Sequence, residues 1–66
     1  MSVRERVLRE ALGRLAEARA AADRLAAVSD DWAAGVSLAL VFEDAERAVR
    51  EFARHHLGVA LRPPRA

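Results

Sequence analysis

Val28-Ser29-Asp30-Asp31 separates two long stretches that both read as helix, and its reading decides the fold. Ser and Asp side chains compete for backbone hydrogen bonds and weaken any helix running through them. Ser29 or Asp30 can instead cap the N-terminus of a second helix. With Ser29 as the cap, Asp30 and Asp31 fall in the first turn, where the helix dipole favours negative charge. An all-α fold follows, an antiparallel two-helix hairpin with its turn at 28–30. The turn contains no Gly or Pro, so the competing architecture is a single long helix in a coiled-coil oligomer. Trp32, Val36 and Leu40 fit that alternative too, continuing the apolar stripe of the first helix at about 100° per residue.

Upstream of the turn, residues 3–27 contain no Pro and are rich in Ala, Leu, Arg and Glu, the strongest helix formers. Val7, Leu8, Ala11, Leu12, Leu15, Ala18, Ala22, Leu25 and Ala26 share one broad stripe, small along its middle, which suits close antiparallel packing. Gly13 lies off this stripe and costs about 1 kcal/mol relative to Ala. Downstream, residues 31–57 form a helix of matching length. Its main stripe, Leu38, Val41, Phe42, Ala45, Ala48, Val49, Phe52 and Ala53 with His56 in line, is expected to pack on helix one. Gly58 ends this helix as a left-handed residue with Val59 folding back. Residues 59–66, which include Pro63 and Pro64, read as a flexible Pro/Arg tail.

The run from Trp32 to Phe42 has Ser37 as its only polar side chain, so a helix through it is apolar on every side. One neighbouring helix cannot cover it. Trp32, Val36 and Leu40 are left over once the main stripe is packed, and they are the expected oligomer interface of a homodimeric four-helix bundle. Gly35 is a place where another backbone can come close. Size argues the same way. A 66-residue chain with no cysteine and no Cys/His cluster has neither disulfides nor structural zinc to support a small core, which leaves oligomerisation. The apolar run is well short of the roughly twenty residues of a membrane-spanning helix. The charged opening, MSVRERVLRE, has no apolar signal-peptide core. A soluble cytoplasmic protein with no membrane partner is expected.

The net charge of +1 conceals a pattern. Residues 1–14 carry four Arg against two Glu, and 47–66 carry five Arg against one Glu, whereas the middle is acidic. A hairpin brings the two basic ends to one pole. Arg4, Arg6, Arg9, Arg54, Arg62 and Arg65 are therefore the candidate contacts for an anion or a nucleic-acid backbone, with His55 and His56 beside them. No aromatic residue is interleaved for base stacking. Glu51 and His55, one helical turn apart, could supply two metal ligands, but without a second Glu or a Glu-x-x-His element no metal or cofactor is assigned.

Arg50-Glu51-Phe52-Ala53-Arg54-His55 has an Arg-x4-His spacing that resembles the catalytic motif of the HEPN-type ribonucleases, small dimeric helical proteins. That resemblance implies His55 as acid/base and Arg50 as a phosphate contact. Positions five apart on a straight helix point about 140° away from each other, so such a site would have to be shared between two chains. The reading that follows from the residues themselves is a small self-associating helical protein, an interaction or regulatory module that engages itself or another protein, without catalysis. A nucleic-acid-binding regulator or a HEPN-like dimeric ribonuclease is the alternative.

Overall fold

A computed structural model of the chain describes residues 2–62. Two helices, α1 (Val3–Val28) and α2 (Trp32–Leu57), pack side by side as an antiparallel hairpin. The rod measures 43 × 16 × 14 Å, the long dimension matching 26 residues at about 1.5 Å rise per residue. The single long helix is therefore excluded. Ser2 begins α1, its hydroxyl accepting a hydrogen bond from the Glu5 N–H at 3.1 Å, while the Glu5 carboxylate pairs with Arg9 at 3.0 Å.

The turn is built differently from the sequence expectation. Asp31, not Ser29 or Asp30, caps α2, and its carboxylate accepts from the Ala34 N–H at 3.2 Å. Ser29 closes α1 in an extended conformation, and its hydroxyl accepts from the Asp31 N–H at 3.1 Å. Each polar side chain of the turn that finds a partner thus satisfies a backbone donor that the helix ends leave open.

The packing seam has a regular alternation of three and four residues. Glu5, Leu8, Leu12, Leu15, Arg19, Ala22 and Ala26 of α1 are buried or half-buried, as are Gly35, Ala39, Phe42, Glu46, Val49 and Ala53 of α2. This spacing keeps one side of each helix on its partner, as in a coiled coil. The stripe expected for α2 is rotated from this seam. Leu38, Val41, Ala48, Phe52 and His56 are exposed, and Glu46, a charged residue, lies at the centre of the contact. On α1, Val7 and Leu25 are likewise left outside.

Along its length the seam changes character. At the turn end it is small, with Ala22, Ala26, Gly35 and Ala39. A Cβ on Gly35 would lie 2.7 Å from the Ala26 Cβ and 2.8 Å from its Cα and N, so the backbone that comes close to Gly35 is that of α1. The middle holds an ion pair, Arg19 to Glu46 at 2.9 Å. The open end is apolar, with Leu12 and Ala53 at the core of a cluster that takes in Leu8, Val49, Val59 and Leu61.

Leu61 corrects the picture of a free tail. Gly58, at φ 63°, turns the chain after α2, with its N–H and that of Val59 both bonded to the Ala53 carbonyl. Residues 59–62 then fold back, and Leu61 is only 6% exposed. Pro63, Pro64 and Arg65 lie outside the described residues. Gly13, by contrast, has open space around it, since a Cβ there would meet nothing within 4 Å. Gly13→Ala is therefore expected to stabilise the hairpin by about 0.5–1 kcal/mol, read as a raised melting temperature at fixed protein concentration.

Candidate interaction surfaces

Three surfaces emerge from this packing. The first is the Trp32, Val36 and Leu40 ridge, set by residues four apart on one flank of α2. Trp32 is 64% exposed and the other two are also open to solvent. The ridge is real as a surface feature, and the hairpin does not cover it.

The second is basic. Antiparallel packing puts the start of α1 and the end of α2 at one pole, where Arg4, Arg6, Arg9, Arg54, His55, His56 and Arg62 are all exposed; Arg65 is outside the described residues. Arg9 is tied to Glu5. The last turn of α2 carries Arg54, His55 and His56, which favours the negative end of that helix dipole. From the pole the basic region extends along α2 in a direction the sequence reading passed over. Arg47, Arg50, Glu51 and Arg54 line a groove of about 300 Å³ whose other wall is Ala60 and Leu61. Arg47 pairs with Asp44 at 3.1 Å. Arg50 makes no ion pair among the described residues, and Glu46, four residues before it on α2, pairs with Arg19 instead. The only signal that could have revealed this groove was Leu61, an apolar residue in an otherwise polar tail.

The third surface was not anticipated. Val7 and Leu25 of α1 and Leu38, Val41 and Phe52 of α2 are each between 42% and 61% exposed. Near the pole, Val3, Val7, Leu8, Phe52, His56 and Leu57 border a second groove, mostly apolar, of about 430 Å³. Phe52 and His56 stack there, with ring centroids 4.4 Å apart.

The residues that could carry chemistry are not assembled within one chain. α2 runs unbroken through Arg50 and His55, so the two point about 140° apart. Arg50 lines the basic groove, and His55 does not. Among the described residues no group of three or more His, Cys, Asp or Glu is placed to hold a metal ion, and no helix is long and apolar enough to cross a membrane. No family model matches the chain, and no match was found among curated proteins or solved structures.

Proposed function

We propose that this is a small self-associating helical protein that works as a protein–protein interaction or regulatory module, with no catalysis inferred. One observation carries the reading. The hairpin leaves large apolar side chains on its outside, with Leu25, Trp32, Leu40, Val41 and Phe52 each at least 50% exposed, and a chain this small is expected to cover such groups by association. The Trp32, Val36 and Leu40 ridge is one group of them. Such a ridge suits recognition, since Trp is enriched where binding energy concentrates. The test is the solution mass. A species of at least twice 7.2 kDa is expected at working concentrations, and a strict monomer into the millimolar range would overturn the reading.

The basic groove favours a second reading, a regulator that holds nucleic acid through its phosphates. Arg47, Arg50 and Arg54 line the groove from one side of α2. Affinity for a short oligonucleotide that collapses between about 50 and 200 mM salt, and that Arg50→Ala with Arg54→Ala lowers further, would support it. Salt-insensitive or absent binding would remove it. The ribonuclease form of this reading needs Arg50 of one protomer and His55 of another.

A further inference from the structure

We infer that a second copy of this chain docks antiparallel on the Trp32 flank of α2, so that the Trp32, Val36 and Leu40 ridge of each protomer lies in the arginine groove of the other. The inference rests on the self-association proposed above and names its arrangement.

Charge gives the direction. Residues 2–14 and 47–62, the pole half of the rod, carry eight Arg against three Glu, a net charge of +5 with both histidines neutral. Residues 15–46, the turn half, carry two Arg against seven acids, a net charge of −5. The pairs Glu5–Arg9 and Arg19–Glu46 each join charges within one half and leave this polarity unchanged. A second rod lying alongside in the same direction sets like charges together over the 43 Å length. A reversed one sets each basic half against an acidic half.

Spacing along α2 gives the surface. The ridge and Glu43, Arg47, Arg50 and Arg54 fall within about 80° of one another on the helix. About Glu43 this stripe is a near mirror of itself. Its apolar residues stand eleven, seven and three positions before Glu43, and its arginines four, seven and eleven after. A two-fold axis at Glu43, perpendicular to the rod, therefore sets Trp32 against the other copy's Arg54, Val36 against its Arg50 and Leu40 against its Arg47. The same patch is used on both copies, so the contact closes as a dimer. The groove also suits the ridge chemically. Its far wall is Ala60 and Leu61, the arginine stems add apolar surface, and a guanidinium is attracted to the face of an indole ring. At the axis each Glu43 lies about one helical turn from the other copy's Arg47. At the ends Asp30 and Asp31 approach the other copy's Arg54.

The test follows the full chain from micromolar to millimolar by light scattering and by acrylamide quenching of its lone tryptophan, in low and in high salt. The expected result is a monomer–dimer transition that protects Trp32 from the quencher. Its dissociation constant should rise at least about tenfold between about 50 and 500 mM salt. Trp32→Ala should raise that constant at least about thirtyfold. Asp30→Arg and Arg54→Glu, both at exposed positions, should each raise it at least about tenfold with helicity retained. A chain carrying both should return to within about threefold of the wild type, because only in a reversed pair do the swapped charges meet. A dimer that leaves Trp32 open to the quencher, that ignores salt, or whose double variant stays as weak as the single ones overturns this arrangement and leaves self-association standing. A wild-type monomer at every concentration overturns self-association and this inference together. Should a charge variant unfold, the quenching and salt response of the wild type still decide.

Discussion

Arg19→Ala is expected to cost the hairpin about 3 kcal/mol, near the lower end of the range for breaking a buried ion pair. Glu46 is 2% exposed, and Arg19 is the partner that holds one of its carboxylate oxygens. The other oxygen, Oε1, is buried without a hydrogen bond. Removing the guanidinium strands a charge between two helices. The cost stays at the low end because the Arg19 side chain is 36% exposed, so water reaches the vacated position. For a domain of this size each kcal/mol is about 4–8 °C in melting temperature, so the shift should be evident in a thermal melt followed by circular dichroism. The reverse substitution makes the argument testable from the other side. Glu46→Leu removes both the charge and the orphaned oxygen, and is expected to stabilise by about 1–2 kcal/mol. It should also rescue Arg19→Ala. A near-neutral Arg19→Ala would mean that Glu46 finds another partner.

The second large effect is expected at Gly35. Its added Cβ would lie 2.8 Å from backbone atoms of Ala26, which cannot swing aside as the end of a long side chain can. Gly35→Ala therefore has to push α2 away from α1 at the turn end. We expect a loss of about 1–2 kcal/mol after allowing for the better helix propensity of Ala, and more for Gly35→Val, whose branched side chain adds bulk at the same point. Urea unfolding at constant protein concentration gives the measurement. Unchanged stability would show that the helices part there without penalty. The contrast with Gly13→Ala is informative, since the same chemical change is expected to have opposite signs at two helical glycines.

The hairpin was legible from Ser29, Asp30 and Asp31, from the equal lengths of the flanking helices and from Gly58. The rotation of the seam was not. Counting apolar residues on α2 points to Leu38, Val41 and Phe52, because those are the large ones, whereas the contact with α1 runs through Gly35, Ala39, Glu46 and Ala53. Close approach at Gly35 and the pairing of Glu46 with Arg19 settle that rotation, and both depend on residues distant in the chain. Small residues carry little hydrophobic signal even when geometry requires them. The cap was missed for a related reason: three consecutive residues, Ser29, Asp30 and Asp31, all have the chemistry to do it, and only the backbone path selects among them. Of the candidate surfaces, the Trp32 ridge and the basic pole could be named in advance, while the groove beside Arg50 could not, because it needs the returning segment as its second wall.

That returning segment also sets an order in time. The contacts between α1 and α2 nearest the turn join residues close in sequence, so little chain entropy opposes their formation. Leu61 reaches Leu12 across most of the chain, and contacts of that span carry a larger loop-closure cost. The hairpin should therefore zip from the turn towards the pole, with the docking of Leu61 as the final event. Opening should run the other way. Amide protons near the pole then report the release of residues 59–62, and those beside Gly35 and Ala39 exchange only when the whole hairpin comes apart.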